Sequence, residues 1–485
     1  MANLKTAFTH ACLISTFMTM FGCAVNPATG GLNTVLMSEK KEIEIGKENH
    51  EELLKKMPIY NDPEITAYVN SVGQKLAANS HRSGLKYSFT VIDSPDINAF
   101  ALPGGFIYIN RGLLTYLNSE AQLAAVLGHE IGHVTARHSV RQHSAGTAAS
   151  IVSTVLAVGT GSSAIGDLSN VAGAALVSGY GRDHELEADS LGAEYLYKSG
   201  YDPQAMVEVI SILKDQEQFA KYRVREEGGK VQSYHGLFAS HPRNDTRLQE
   251  VVGKAGKLAE SQEQTLTGTF REHIEGIEFG ESDNQGIRRG SRFYHKPMNF
   301  SLAFPSNWKL QNSPNSLVAY PANQTAFLQM QVQGDLGALT PESFIKTRLK
   351  IDNLKEGEVL EQYGLRGYTG TVAATEKRGP VRVAVLFHKD QAFYFSGVNR
   401  IAKTKFNFDP FFLASIKSFR PMNPDEFKLA AGMKIKYIRA TVATSYASLA
   451  QNSKIEKYAE QQLRLLNGDY PRGEPEPGQW IKIVE

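Results

Sequence analysis

The sequence has 485 residues, which is long enough for about two or three domains with a sizeable hydrophobic core. Its 52 Lys and Arg residues nearly balance its 50 Asp and Glu residues, so the formal net charge is only +2. This balance argues against nucleic acid as a partner and against a charged interaction tail.

Residues 1–22 are typical of an export signal, because a short head precedes an apolar stretch of about ten residues, too short to span a bilayer. The two cysteines are Cys12 and Cys23, and removal of the signal leaves Cys23 alone, so the mature chain forms no internal disulfide. A cysteine at the first mature position resembles the acylated cysteine of bacterial lipoproteins, although Met20 and Phe21 depart from the usual residues. We expect a lipid anchor at Cys23 in the outer membrane; plain secretion into the periplasm is the alternative.

In the stretch FALPGGFIYI, residues 100–109, apolar residues alternate after a Pro-Gly-Gly turn. This pattern predicts that the strand after the turn lies at the edge of a sheet. An extended peptide could add to such an edge strand through its backbone. An ordinary hairpin strand is the alternative.

The stretch VLGHEIGHVTARH contains two histidines four positions apart, His129 and His133. Ser119 and Gln122 predict the start of a helix ahead of them, so both imidazoles lie on one face and can bind one tetrahedral metal ion. Glu130 is rotated aside, where its carboxylate reaches a water molecule without ligating the metal. This is the H-E-x-x-H arrangement of zinc peptidases.

Two further histidines, His138 and His143, lie five and ten residues beyond His133. On a continuous helix both point away from the metal, so we expect them on a solvated or interaction surface. A third ligand therefore has to come from a second helix.

The stretch GRDHELEADSLGAEYLYKSG, residues 181–200, predicts that second helix. One face is small or apolar apart from two carboxylates, Glu185 and Asp189, and small residues on both helices permit a close approach. Glu185 can then ligate the metal and Asp189 can hydrogen-bond a ligand histidine. Glu187 and Glu194 belong to a face that we expect to be solvated. An acidic surface helix is the alternative.

Four blocks occur in order over roughly residues 40–260: NAFALPGGFIYINRGLL, EAQLAAVLGHEIGHVTARH, GRDHELEADSLGAEYL and LFASHPRNDTRLQEV. Together they resemble the gluzincin zinc metallopeptidases related to HtpX and the CaaX prenyl proteases, and most closely the exported branch of Gram-negative periplasms. The resemblance implies Glu130 as general base and Asp189 as the orienting acid. It also implies one zinc ion per chain, bound by three residues: His129, His133 and Glu185.

Residues 147–180, between the two zinc helices, are apolar but rich in Gly, Ser and Ala. No apolar run reaches the length of about 18 residues that a spanning helix needs. We interpret the segment as a helical hairpin over the cleft, a lid or ordinary core packing.

The stretch SHPRNDTRL, residues 240–248, places His241 before a proline and a helix that starts near Asp245. Because this block occurs in the resembling family, His241 is a catalytic candidate. It could occupy the open zinc position of the resting enzyme or stabilise the developing oxyanion. A loop histidine that caps a helix is the alternative.

Residues 286–425 alternate apolar and polar residues, with turns near Arg378-Gly379 and Lys389-Asp390 and a short helix from Asp409-Pro410. This predicts a small antiparallel α+β domain with a binding or packing role. The final residues 426–485 have the order strand, two helices, strand. That order resembles a LysM module, which implies peptidoglycan as a candidate partner, although Ala443-Thr444-Ser445 replaces the usual Gly-Asp-Thr. Packing between domains is the alternative.

The predicted fold class is α+β. A mainly helical zincin-type peptidase domain with a small edge-stranded sheet (23–285) precedes the antiparallel domain (286–425) and the LysM-like module (426–485). The predicted function is zinc-dependent endopeptidase, acting on misfolded or misassembled cell-envelope proteins in the periplasm. A chaperone-like protein that mainly holds such clients is the alternative, and a cell-wall peptidase is a third. Glu130 favours the first, since a binding module needs no general base.

Overall fold

The computed structural model describes residues 23–25, 28, 30, 32–34, 37–143, 181–228, 270–313, 316–375, 379–400 and 406–485. The predicted signal peptide (1–22), the apolar segment 147–180 and His241 lie outside these residues.

The chain divides into two compact units. Unit 1 comprises Met1–Ile277 and Lys434–Glu485, and unit 2 comprises Glu278–Met433. Unit 1 is therefore built from two separate stretches of sequence. The three predicted domains remain a prediction.

The N-terminal stretch of unit 1 is mainly helical in the residues described. Its strands are β1 (Cys23–Val25), β2 (Leu32–Thr34), β3 (Ser88–Ile92), β4 (Ala99–Leu102) and β5 (Phe106–Asn110). Its helices are α1 (Glu39–Leu54), α2 (Pro63–Ala78), α3 (Arg111–Tyr116), α4 (Glu120–Thr135), α5 (His138–His143), α6 (Arg182–Lys198), α7 (Gln204–Glu226) and α8 (Phe270–Ile274).

Helix α4, which carries the H-E-x-x-H motif, begins as the sequence predicts. The Ser119 hydroxyl accepts a hydrogen bond from the Gln122 backbone nitrogen at 3.1 Å. The Gln122 side chain does not complete the predicted capping box, because its oxygen accepts instead from the backbone nitrogen of Asn118 at 2.7 Å. The start of the helix is thus tied to the residue before its cap.

Three strands of unit 1 form a small sheet in the order β3-β5-β4. Strand β5 lies in the middle, parallel to β3 and antiparallel to β4. Gly104 and Gly105 make the turn between β4 and β5 with φ of 80° and 94°, a region that glycine enters without strain. The strand after the turn, β5, is therefore central, and its predicted place at the edge of the sheet was wrong, because β5 pairs with β3 as well as with β4. Among the described strands, β4 lies at the edge, and it packs against α4.

Unit 2 is dominated by antiparallel sheet. Its first strands are β6 (Glu278–Phe279), β7 (Ile287–Arg289), β8 (Arg292–His295) and β9 (Phe300–Ala303), of which β7, β8 and β9 pair in that order. The larger strands are β10 (Trp308–Ser313), β11 (Ser316–Pro321), β12 (Ala326–Gln333), β13 (Lys355–Gln362), β14 (Leu365–Val372), β15 (Val381–His388) and β16 (Gln391–Asn399). They form one sheet in the order β10-β11-β12-β16-β15-β14-β13. The helices are α9 (Pro341–Thr347), α10 (Asp409–Lys417) and α11 (Glu426–Leu429).

The antiparallel sheet and the short helix of unit 2 agree with the sequence pattern. Lys389 and Asp390 connect β15 to β16 with φ of 46° and 57°, which is the geometry of a two-residue hairpin turn. The predicted turn at Arg378-Gly379 includes Arg378, which lies outside the described residues. A buried aromatic core packs α10 against the sheet: Phe300, Phe393, Phe395, Phe412 and Phe419.

The C-terminal stretch returns the chain to unit 1. It consists of β17 (Met433–Arg439), α12 (Tyr446–Gln451), α13 (Ala459–Asn467) and β18 (Trp480–Val484), with β17 antiparallel to β18. This is the predicted order of strand, two helices and strand. The likeness to LysM itself remains a prediction.

The described part of the chain is a mixture of helix and sheet, which confirms the predicted fold class at that level. None of the helices in this part is long and apolar enough to cross a membrane.

Candidate metal centre

Helices α4 and α6 pack side by side and form the candidate centre. A Cβ atom at Gly132 would lie 2.8 Å from the backbone oxygen of Ala188. One at Gly192 would lie 3.0 Å from the backbone nitrogen of His129. Both distances are shorter than ordinary van der Waals contacts, so glycine permits this close approach of the two backbones.

Three side chains from these helices converge on one point. The Nε2 atoms of His129 and His133 lie 2.9 Å apart. The carboxylate oxygens of Glu185 lie 3.6 Å from Nε2 of His129 and 3.4 Å from Nε2 of His133. Among the described residues, this is the group of His, Cys, Asp and Glu side chains whose ligand atoms all lie within 4.8 Å of one another.

This donor set fits zinc. Zinc binds imidazole nitrogen and carboxylate oxygen at about 2.0–2.2 Å in a tetrahedron, which places ligand atoms about 3.3 Å apart. The observed separations of 2.9–3.6 Å bracket that value. The side chains of His133 and Glu185 are only 1% exposed, so the carboxylate is a costly group to bury without a cation.

Two acidic residues accompany the cluster. Glu130 directly follows His129 on α4 and is buried. Asp189 lies one turn beyond Glu185 on α6, and its Oδ1 is 2.8 Å from Nδ1 of His129. With Nδ1 of His129 donating to this carboxylate, the lone pair of Nε2 faces Glu185. The fold therefore brings Asp189 to a ligand histidine, His129.

His138 does not lie on a solvated surface, and that prediction was wrong. Its side chain is completely buried, and its Nδ1 lies 2.7 Å from Nδ1 of His133. The prediction assumed a continuous helix, on which five residues amount to about 500°, so that His138 would lie 140° away from His133. The helix instead ends at Thr135, and Arg137 adopts a left-handed φ of 55°. The side chain of His143 lies outside the described part of the chain.

Glu187 was also wrongly assigned to a solvated face. Its Oε2 lies 3.1 Å from Nε2 of His138 and accepts from Nη1 of Arg141 at 2.8 Å. Burial raises the pKa of Glu187, but the hydrogen bonds from His138 and Arg141 outweigh it and lower that pKa to about 2. Burial lowers the pKa of His138, against the opposing effect of Glu187. Glu194 is half-buried and pairs with exposed Lys198 at 2.8 Å.

Comparison with known families decides what kind of domain surrounds this cluster. Residues 63–255 match the family described as "Peptidase family M48". The chain carries a peptidase family M48 domain. The family is one of metalloproteases, and zinc is the metal that it implies.

The peptidase domain has named relatives. Over 232 residues the chain is 31% identical to "Beta-barrel assembly-enhancing protease" of Escherichia coli (strain K12), covering 46% of this chain and 45% of that protein. It is 36% identical over 129 residues to "Mitochondrial metalloendopeptidase OMA1" of Arabidopsis thaliana, covering 26% of each. It is 30% identical over 180 residues to "Metalloprotease YcaL" of Escherichia coli (strain K12), covering 36% of this chain and 65% of that protein. The chain thus spans less than half the length of the first of these relatives.

Proposed function

We propose that this protein is a zinc-dependent endopeptidase of the periplasm that hydrolyses misfolded or misassembled cell-envelope proteins. The observation that carries the proposal is the convergence of His129, His133 and Glu185 on one point, with Glu130 next to the first ligand. The relatives named beta-barrel assembly-enhancing protease support the envelope as the place where the substrates are found.

The residues divide the chemistry between them. His129, His133 and Glu185 would hold zinc, which when bound polarises the scissile carbonyl and makes a water molecule easier to deprotonate at neutral pH. Glu130 takes the proton from the attacking water and returns it to the leaving amine. Asp189 holds the imidazole of His129 in one tautomer and orientation.

We expect the substrate to bind at the edge of the small sheet. Strand β4 is an edge strand beside α4, so its outer backbone groups can pair with an extended peptide. Such pairing consists of hydrogen bonds to the peptide backbone and does not depend on particular side chains. It therefore suits clients that expose unfolded segments of many sequences.

The test is hydrolysis of casein by the purified protein. We expect Glu130→Gln to keep one zinc ion per chain and to lose about two to four powers of ten in rate, because the amide cannot take the proton. A chelator should abolish cleavage by the wild type, and Glu194→Gln on the outer side of α6 is the matched control. Cleavage by Glu130→Gln at the wild-type rate would refute the role of Glu130. If the wild type holds clients but does not cleave them, the chaperone-like alternative gains support.

The three ligands are tested by metal content. We expect His133→Ala and Glu185→Ala to lose most of their zinc, since two remaining ligands hold the ion too weakly. Metal analysis by mass spectrometry measures this directly, and the melting temperature of the metal-free proteins shows whether each variant folds. Full zinc occupancy in either variant would contradict the assignment.

The role of His241 at the metal centre is proposed from the sequence alone. If it occupies the open metal position in the resting protein, His241→Ala should cleave casein faster than the wild type. If it stabilises the oxyanion, the same variant should be at least about ten-fold slower, as for other lost oxyanion donors. An unchanged rate at equal zinc content would remove His241 from the site.

The lipid anchor and the peptidoglycan contact also stay proposals. Acylation at Cys23 predicts that the protein sediments with membranes and that Cys23→Ser releases it or leaves it unprocessed. Recovery of the wild type wholly in the soluble periplasm would exclude acylation. Binding of the LysM-like segment to peptidoglycan predicts co-sedimentation of the protein with purified sacculi.

A further inference from the structure

A chain of hydrogen bonds, buried at its inner end, lies behind His133, on the side of the imidazole that faces away from Glu185. Nδ1 of His133 lies 2.7 Å from Nδ1 of His138, and Nε2 of His138 lies 3.1 Å from Oε2 of Glu187. Arg141 donates to the same carboxylate oxygen at 2.8 Å. Neither His138 nor Glu187 is used in the mechanism proposed above.

The direction of each hydrogen bond follows from the carboxylate at the end of the chain. An ionised Glu187 only accepts, so Nε2 of His138 carries the proton and Nδ1 of its neutral ring is an acceptor. Nδ1 of His133 must then be the donor in the bond to His138. The lone pair of His133 is left on Nε2, which is the atom that faces Glu185 and Nε2 of His129. The chain thus selects the tautomer of His133 that can bind a metal.

The turn after α4 is what brings His138 back to His133. Arg137 holds a left-handed φ of 55°, which a non-glycine residue adopts at some cost. Its guanidinium offsets that cost by donating to Oε2 of buried Glu42 and to the backbone oxygen of Met37, both at 2.8 Å. Arg82 also donates to Glu42 at 2.8 Å. The break in the helix is therefore secured by a buried ion-pair cluster.

The two ligand histidines receive the same kind of support by different routes. Asp189 accepts directly from Nδ1 of His129. Glu187 acts on His133 through the ring of His138. Both carboxylates belong to α6, the helix that also supplies Glu185. One helix therefore provides a ligand and the orientation of the other two ligands.

We propose that His138 and Glu187 are positioning residues that fix His133 in its metal-binding tautomer and orientation. This inference rests on the proposed function, because it requires that the centre binds zinc. Partners of this kind typically contribute about 10- to 100-fold to metal affinity.

The first test compares two substitutions of His138. In His138→Asn the side-chain oxygen can replace Nδ1 as acceptor, whereas His138→Phe fills a similar volume without an acceptor. We expect zinc to bind about 10- to 100-fold more weakly to His138→Phe and within a few-fold of wild type to His138→Asn. Competition with a chromophoric chelator measures the zinc dissociation constant without any need for catalysis. His295→Phe, a buried histidine of unit 2, is the matched control.

The second test measures the tautomer of His133 directly. Nitrogen NMR of the metal-free protein, labelled at histidine, should show His133 protonated at Nδ1 in the wild type and a mixture of tautomers in His138→Phe. A merely structural role of His138 would lower the melting temperature without changing this signal. Glu187→Ala should show a smaller shift in the same direction, and Glu194→Ala on the same helix should show none.

The outcomes separate this inference from the proposed function. If the wild type binds no zinc, the proposed function fails and this inference with it. If the wild type binds one zinc ion but His138→Phe binds it equally tightly with an unchanged tautomer, only the inference is overturned. If His138→Phe fails to fold, Glu187→Ala provides the test. If Glu187→Ala binds zinc as tightly as the wild type and His133 keeps the same tautomer in it, the proposal is overturned.

Discussion

Gly132 sets the distance between the two helices of the centre. A Cβ atom there would lie 2.8 Å from the backbone oxygen of Ala188, which belongs to a helix and cannot easily move. We expect Gly132→Ala to push α6 away, weakening zinc binding and costing about 1–3 kcal/mol of stability despite the better helix propensity of alanine. Chelator competition and thermal unfolding measure the two effects.

Gly84 provides the control for this substitution, since nothing lies within 4 Å of a Cβ atom at that position. Gly84→Ala should leave zinc affinity unchanged. Equal affinities of Gly132→Ala and the wild type would show that the helices can separate without consequence for the ligands.

The sequence predicts the ligand residues well because they obey helical spacing. His129 and His133 are four residues apart, as are Glu185 and Asp189, and each pair remains within an unbroken helix. The position of His138 next to His133 could not be predicted in the same way, because arginine at position 137 does not indicate a left-handed conformation. That conformation depends on Glu42, which is almost a hundred positions earlier in the chain. Spacing rules fail where a distant partner breaks the helix.

At the scale of elements, β18 is attached to α3 through Lys482. The Lys482 side chain is fully buried, and its Nζ donates to the backbone oxygens of Thr115 at 2.7 Å and Leu117 at 2.9 Å. These carbonyls end α3 just ahead of Ser119, the cap of the motif helix. The C-terminal stretch thereby fixes the segment from which α4 starts. The role of this lysine was not predictable from the sequence, because lysine side chains are almost never fully buried without a charged partner.

This contact predicts a pH dependence. Burial lowers the pKa of Lys482 well below its usual range, so between that lowered pKa and about 10.4 the unfolded chain binds a proton that the native protein does not. In Lys482→Met the two carbonyls lose their donor, at a cost of about 1–3 kcal/mol each. In addition, the free energy of unfolding of the wild type should rise with pH relative to that of Lys482→Met. Urea unfolding of both proteins from about pH 7 to 9.5 measures the difference.

Lys436→Met is the matched control, because Lys436 lies on the neighbouring strand with a side chain that is 50% exposed. Its difference from the wild type should not grow with pH. A pH-independent difference for Lys482→Met as well would mean that Lys482 stays charged in the native protein.

Short-range elements of both units follow the sequence closely. The turn at Gly104 and Gly105 and the hairpin at Lys389 and Asp390 lie where the turn residues predict them. These features depend on neighbours in the sequence, so a local pattern is enough. The order β10-β11-β12-β16-β15-β14-β13 was not predictable, because β12 pairs with a strand almost sixty residues away. Such pairings depend on burial across the whole sheet.

At the scale of the whole molecule, unit 1 is discontinuous, and unit 2 is inserted between Ile277 and Lys434. The Ile435 backbone oxygen accepts from Gly276 at 2.8 Å, and the Ile435 nitrogen donates to the oxygen of Ile277 at 2.9 Å. The two ends of the insertion are thus neighbours within unit 1. A variant that lacks residues 278–433, with a short Gly-Ser linker in their place, should fold and bind one zinc ion.

Thermal unfolding and metal analysis of that variant test the expectation. Further removal of residues 434–485 should lower the melting temperature markedly, because Lys482 and the packing of α13 against α3 are lost. Unit 1 without both segments should therefore bind zinc more weakly. A stable, fully loaded protein without residues 434–485 would contradict a structural role for the C-terminal stretch.

The discontinuity of unit 1 also orders events during synthesis. The ribosome makes the zinc ligands early, but Lys482 follows only after the whole of unit 2. At about 5–20 residues per second, the roughly 300 residues from Glu185 to Lys482 take about 15–60 s. Throughout that interval the segment ahead of the motif helix lacks its anchor. We expect the nascent chain to bind zinc only weakly until Lys482 has been made, so that a peptidase of the proposed kind stays inactive while its own chain emerges.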